Sequence, residues 1–257
     1  EISNKLKTIQ KININNKKVK WIKKIKEINY GPVIFLGNEF FDSLPIKQIY
    51  KKKKLFFEKH VALSNNNKKI NSGPIIFLGN EFFDALPIKQ IYKKKKLFFE
   101  KYIALSNDDK KIRFLHKKAS NSLIKHIQDL KLISNGNTIE YPLVAIKFLG
   151  AISKKINKFD GGLLAFDYGY NAKKNQNTLQ SVKKHRYTDL FFKPGHSDIT
   201  SHINFKLFHK ILKKNNLNVK KITTQNEFLK KIGILERANI LSKKMTFNEK
   251  ANMFYRL

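Results

Sequence analysis

Two stretches of the sequence place acidic and phenolic groups directly after apolar runs. Residues 75–84 read IIFLGNEFFD and close on Gly79, Asn80, Glu81 and Asp84, while residues 161–170 read GGLLAFDYGY and close on Asp167, Tyr168 and Tyr170. Each run is short, continuous and apolar, as in a strand buried on both faces of a parallel sheet. In open α/β sheets ligands bind beyond the carboxyl ends of such strands. Two acidic groups and two phenols at neighbouring strand ends can hold a cation or orient a nucleophile. The competing reading of Glu81 and Asp84 is a pair of solvated turn residues, and spacing alone does not choose between the two.

The first cluster occurs twice. GPVIFLGNEFFD at 31–42 recurs as GPIIFLGNEFFD at 73–84, so Glu39 and Asp42 duplicate Glu81 and Asp84. Aligning 31–72 with 73–114 gives 34 identities in 42 positions. A period near 40 suggests a solenoid, but stacked architectures need about three repeats, and nothing before or after continues the period. The expectation is one incomplete domain over 1–257. Residues 31–72 and 73–114 are then two copies of a strand-plus-hairpin unit, from a tandem duplication or an assembly error.

Other chemistries find less support. His185, His202 and Asp198 invite a hydrolase or metal reading, yet their spacing matches no zinc motif and no H-E-x-x-H occurs. There is no G-x-S-x-G, no Walker loop and no G-x-G pair among the 11 glycines. With no cysteine, disulfides and thiolate chemistry are excluded. No metal is expected, and His185 with Arg186 reads as a loop anchor or as part of a substrate groove.

The net charge of +34 points at first to a polyanion partner. Only four of the 53 basic residues are arginine, however, and the lysines are spread over the whole chain. Planar, bidentate recognition of phosphates and base edges favours arginine. Specific nucleic-acid binding is therefore not expected, although non-specific, salt-dependent adhesion is. No run approaches the roughly 20 apolar residues of a membrane span.

The elements that must position these groups alternate. Ser3 is placed to cap a helix with Leu6 and Ile9 on one face, and Val19–Ile22 reads as a short strand. After each VIFLG or IIFLG strand come two strand-like runs around a lysine-rich turn, a β-hairpin. SNSLIKHIQDLKLI from Ser120 is amphipathic, and Pro142 suits the first position of a helix through AIKFLGAISKKINK. ITSHI and NVKKITT read as strands, Asn204 caps FKLFHKILKK, and Thr224 with Glu227 forms a capping box for a helix stopping near Gly233. Strand and helix alternation gives an α/β class with a mostly parallel sheet.

NEFFDALP, DYGY, TLQSVKKHRYTD, PGHSDITSHINF and TQNEFLKKIGI, in this order, resemble the MidA-like family of class I S-adenosylmethionine-dependent methyltransferases. The resemblance implies a Rossmann-like methyltransferase sheet carrying an inserted β-hairpin, with S-adenosylmethionine as co-substrate. It also implies protein arginine methylation, since mitochondrial members help to assemble respiratory complex I and act on one of its subunits. The location implied is a bacterial cytoplasm or a mitochondrial matrix. In that fold the acid ending the second strand holds the cofactor ribose, which makes Glu1 the ribose residue, with VKW at 19–21 as the third strand. IIFLGNEFFD becomes the fourth strand, with Gly79 and Asn80 beside the cofactor and Glu81 and Asp84 (or Glu39 and Asp42) facing substrate. GGLLAFDYGY becomes the fifth, with Asp167, Tyr168, Tyr170, His185 and Arg186 along the substrate groove, and ITSHI and VKKITT the last two.

The family has one NEFFDALP unit where this chain has two; Ala85 follows the family pattern and Ser43 does not. The second copy is therefore expected in the sheet, and the first as an edge addition or extra hairpin that exposes apolar residues. The first strand and glycine-rich loop have no counterpart here, so the chain by itself is expected to be inactive and not to bind the cofactor. The alternative is a non-catalytic assembly or interaction factor that keeps the fold and uses its surface.

Overall fold

The computed structural model describes residues 4–14, 32–38, 49–52, 55–58, 73–105, 112–134, 138–192 and 196–255. Glu1, Glu39, Asp42 and the strand expected at 19–22 lie outside the described residues. The described chain opens with helix α1 (Asn4–Ile14), strand β1 (Val33–Asn38) and the hairpin β2 (Ile49–Lys52) and β3 (Leu55–Glu58). The second copy supplies β4 (Ile75–Asn80), β5 (Lys89–Lys94) and β6 (Leu97–Leu105), followed by β7 (Ile112–Lys118) and helix α2 (Asn121–Asp129). Next come β8 (Ile133–Ser134), β9 (Thr138–Tyr141), helix α3 (Leu143–Phe159) and β10 (Gly161–Phe166). Six short strands follow: β11 (Gly169–Tyr170), β12 (Lys174–Asn175), β13 (Gln180–Lys183), β14 (Arg186–Thr188), β15 (Asp198–Thr200) and β16 (Ile203–Asn204). Helices α4 (Phe205–Lys214), α5 (Gln225–Lys231), α6 (Ile234–Ser242) and α7 (Phe247–Tyr255) complete the described chain.

The three apolar runs form one parallel sheet in the order β1-β4-β10. The two copies of the repeated strand pair with each other in register, Val33 opposite Ile75 through Asn38 opposite Asn80. In-register pairing aligns like with like, and Phe35 stacks on Phe77 with ring centroids 5.2 Å apart. The second copy is central and the first is outermost among the described strands. Burial follows from that position: Ile75 is fully buried, whereas Ile34 and Leu36 are 64% and 70% exposed. The expectation of burial on both faces thus holds poorly for β1, whose side chains at 34 and 36 are exposed. Gly161 starts β10 at φ +120, where a Cβ would stand 1.8 Å from the Ile75 carbonyl oxygen. Only glycine permits so close an approach of β10 to β4.

A second, antiparallel sheet in the order β7-β6-β5-β9 carries the hairpin of the second copy. Helix α2 covers it through Leu123 and Ile127, which pack with Ile91, Ile139 and Tyr141. The main cluster lies where α3 and α4 meet the turn after β4, joining Phe83, Leu86, Leu149, Leu207, Phe208 and Ile211. The helix starts follow their caps. Ser120 Oγ accepts from Leu123 N–H, Asn204 Oδ1 from Leu207 N–H, and Thr224 with Glu227 closes the capping box. Pro142 immediately precedes α3, and its carbonyl accepts from Ile146 N–H at 2.9 Å.

Two strand expectations need correction. ITSHI is broken into β15, antiparallel to β13, and β16, parallel to β11, so neither extends the central sheet. The backbone donors between them go to separate partners: Ser201 N–H to the Asp84 carbonyl, His202 N–H to Thr178 Oγ1 and Ile203 N–H to the Tyr168 carbonyl. No continuous ladder can form from such a segment. NVKKITT is not a strand either; among the described residues none pairs with 218–224. Its apolar residues Val219 and Ile222 are three apart, which is not the alternation a half-buried strand requires.

Candidate functional site

The ends of β4 and β10 are tied together by backbone and by one side chain. Glu81, the first residue beyond β4, has φ +48, and its N–H donates to the Phe166 carbonyl at 2.9 Å. This left-handed residue turns the chain across the end of β10. Asp167 Oδ2 then accepts from the N–H groups of Phe82 (3.2 Å) and Phe83 (2.8 Å), while its Oδ1 accepts from Tyr168 N–H at 2.9 Å. The carboxylate at the end of one strand thereby organises the turn that follows the other. Gly79 leaves room for that turn: a Cβ there would touch Phe82 Cβ at 3.4 Å.

Asp84 completes the cluster. Its side chain is 6% exposed, its carbonyl accepts from Ser201 N–H, and its Oδ1 has no hydrogen-bond partner. Burial raises the Asp84 pKa above the usual carboxylate range, while the Ala85 N–H, the Asp167 carboxyl and the nearby His202 oppose that rise. Asp167 is pushed up to about 7, first by burial and then by the charge of Asp84, against the pull of three backbone N–H groups. Two adjacent carboxyl groups in a dry site cannot both ionise at little cost, so they retain one proton to near-neutral pH. The unpartnered Asp84 oxygen is closed off from solvent and carries the cost of a buried acceptor without a donor.

The other sequence-predicted residues are placed differently. Tyr168 adjoins Asp167 and is exposed. Tyr170 turns into a polar network: its hydroxyl accepts from Gln176 N–H at 3.0 Å and meets the Asn204 side chain, and burial raises its pKa. His185 and Arg186 sit at the tip of the β13–β14 hairpin. Lys184 and His185 both have positive φ there, and Lys183 pairs with Arg186. The opposite end of β13, Gln180, pairs with Thr200 just before Ser201. The tip is therefore roughly 15 Å along the strand from the segment that touches Asp84. The structure brings Asp84 and Asp167 together and sets His185 and Arg186 apart from them.

Glu140 carries no signal in the sequence. This residue of β9 is 4% exposed, and its carboxylate accepts from Gln90 Nε2 (3.0 Å), Thr178 N–H (3.0 Å), Thr178 Oγ1 (2.7 Å) and Leu179 N–H (2.9 Å). Asn175 exchanges two hydrogen bonds with the Glu140 backbone. A single acid before Tyr-Pro has no distinctive spacing, and its partners come from segments far apart in sequence. Among the described residues no group of three His, Asp or Glu is placed to hold a metal ion, and no helix is long and apolar enough to cross a membrane.

Comparison with known proteins bears on what such a site serves. A family model described as "Putative S-adenosyl-L-methionine-dependent methyltransferase" matches residues 1–72 and 65–223, each match containing one copy of the repeat. A mitochondrial protein arginine methyltransferase NDUFAF7 homolog of Caenorhabditis elegans is 30% identical over 219 residues, covering 84% of this chain and 41% of that protein. Protein arginine methyltransferase NDUFAF7, mitochondrial, of Danio rerio is 29% identical over 225 residues, covering 86% of this chain and 42% of that protein. The chain thus spans about two fifths of the length of these curated relatives. Among solved structures, an uncharacterised protein of Burkholderia thailandensis aligns with a TM-score of 0.58 and 21% identity, over 70% of this chain and 50% of that one. A related protein of the same organism, bound to S-adenosyl-homocysteine, aligns with a TM-score of 0.57 and 22% identity, over 70% of this chain and 48% of that one. These two likenesses establish the shared α/β fold.

Proposed function

The chain belongs to this family of S-adenosyl-L-methionine-dependent methyltransferases, and on that premise we propose that it supplies the substrate-facing side of a protein arginine methyltransferase. The observation that carries the reading is the buried Asp84–Asp167 pair, with its free Asp84 oxygen, at the carboxyl ends of two adjacent parallel strands. A guanidinium group is planar, cationic and rich in donors, and suits that acceptor.

The residues present fit the substrate side of an S-adenosylmethionine site. Gly79 and Asn80 end the central strand where ligands of parallel sheets bind. Glu1 is the proposed ribose ligand. When bound, the cofactor supplies an electrophilic methyl group for in-line displacement. Once the turn around Asp84 opens to admit it, a guanidinium donates one N–H to the Asp84 carboxylate, which localises the positive charge and orients the opposite nitrogen for attack. Asp167 holds the turn bearing Asp84, and the pair accepts the proton that the methylated nitrogen loses. Glu81, on the same turn, is proposed as a second carboxylate toward the guanidinium. The substrate proposed is a protein, a respiratory complex I subunit by family resemblance, in the mitochondrial compartment named for the relatives.

The test is guanidinium binding to this chain followed by NMR, with methyl transfer from radiolabelled S-adenosylmethionine to arginine-containing peptides measured in a complete protein that contains it. Asp84→Asn is expected to lower transfer roughly 100-fold and to abolish the guanidinium-induced shifts near residue 84. Guanidinium binding that is absent, or is unchanged in Asp84→Asn, overturns the reading. The exposed Ile34 and Leu36 favour a second reading, an interaction protein; it predicts stable complexes that survive Asp84→Asn.

A further inference from the structure

We propose that Glu140 is a positioning residue for the Asp84–Asp167 pair, acting through the Thr178 hydroxyl and the backbone of Ser201 and His202. The connection is two hydrogen bonds in series, joined through the Ser201–His202 peptide unit to a third that ends on the Asp84 backbone. Thr178 Oγ1 donates to Glu140 Oε2 at 2.7 Å and accepts from His202 N–H at 2.8 Å. Ser201 N–H, one residue away, donates to the Asp84 carbonyl at 2.9 Å. The Thr178 hydroxyl has one proton, and Glu140 takes it, so its lone pairs are left facing His202 N–H.

Glu140 is itself fixed. Four donors converge on its carboxylate, and Gln90 Nε2 bridges from it to Asn177 Oδ1 at 2.8 Å. A buried carboxylate held by so many donors is rigid, and its loss would leave those donors unpaired. The loop 175–179 is thereby clamped to β9, and through it the Ser201–His202 segment is set against Asp84. The charged groups acting on the pair are its own two members and His202, which favours the ionised form of Asp84. Glu140 faces Tyr170, and among the described residues its hydrogen-bonded link toward the pair runs through Thr178.

The proposal leans on the methyltransferase reading for its consequence for substrate, but its test needs neither cofactor nor substrate. Aspartate carboxyl carbons of the 257-residue chain are labelled and titrated by NMR in wild type, Glu140→Gln, Thr178→Val and Thr178→Ser. Once the clamp is broken, His202 recedes from Asp84, and the titration of the pair moves upward by roughly half a pH unit or more. Glu140→Gln and Thr178→Val are expected to show that shift, and Thr178→Ser, which keeps the hydroxyl, to titrate as wild type. A purely structural role lowers the melting temperature and leaves the titration in place; that result overturns the proposal. Should Glu140→Gln fail to fold, Thr178→Val decides, and loss of folding in Thr178→Val also overturns it. Absence of guanidinium binding in the wild type would count against the function proposed above and leave this titration unaffected.

Discussion

The Asp167 carboxylate bonds the backbone of Phe82 and Phe83, the two residues that lead into Asp84, so one acid of the pair builds the turn that buries the other. The group that sets the geometry also raises the cost of ionising its neighbour. This coupling gives the site a pH signature.

Both carboxyl groups have raised pKa values, that of Asp167 to about 7 from 3.8. Between these values the folded chain holds a proton that the unfolded chain has released. Stability is therefore fully present below about pH 4 and is lost as pH rises through about 7, a loss on the order of 2–4 kcal/mol. Asp167→Asn keeps an acceptor for the backbone and offers its amide to Asp84. Urea midpoints measured from pH 4.5 to 8 should fall for the wild type and stay flatter for Asp167→Asn. Parallel slopes would show that the pair does not share a proton.

Glu81 adopts a left-handed conformation that costs a non-glycine residue about 1 kcal/mol. Glu81→Gly should raise stability by a similar amount in urea melts, because the turn geometry is kept without the strain. The same variant removes a carboxylate from the proposed guanidinium site and should weaken arginine-peptide binding in calorimetry. Stabilisation with unchanged peptide affinity would leave Glu81 a turn residue only.

Lys184 and His185 form a two-residue hairpin turn with φ +48 and +60. Such turns favour Asn-Gly. Replacing the pair by Asn-Gly should raise the thermal midpoint by the equivalent of about 1–2 kcal/mol. Because the tip lies far from Asp84 along β13, peptide methylation by a complete protein carrying the change should stay within about two-fold of its wild type. A large loss of activity would place His185 in the substrate groove after all.

Removing residues 31–72 joins Tyr30 to Gly73 in place of Gly31. The central strand keeps its pairing with β10 and its packing against α3 and α4. Stability by urea titration should change by no more than about 1 kcal/mol, the scale of one stacked aromatic pair. Self-association by light scattering should fall, since Ile34 and Leu36 leave the surface. Collapse of the fold would show that the first copy is integral to the sheet.

The elements legible in the sequence were those set by local rules. The apolar runs at 75–80 and 161–166 and the caps at Ser120, Asn204 and Thr224 each carry their signal within a few residues. Asp84 and Asp167 were each visible as acids after apolar runs. Their contact was not, since they lie 83 residues apart in the chain and only the β4–β10 register brings them together. Glu140 was silent because its importance rests on donors brought in from loop 175–179. NVKKITT misled because its composition suits a strand, but none of the described strands pairs with it.

The pairing of β1 with β4 also has a consequence for how the two copies tolerate change. The repeated strand, placed at the flank, widens the sheet without entering the space between β4 and β10, so the contacts of Asp167 are left intact. The copy at 33–38 is then free to drift while the copy at 75–80 remains held by its partners. Among descendants of this sequence, substitutions should accumulate in the outer copy first.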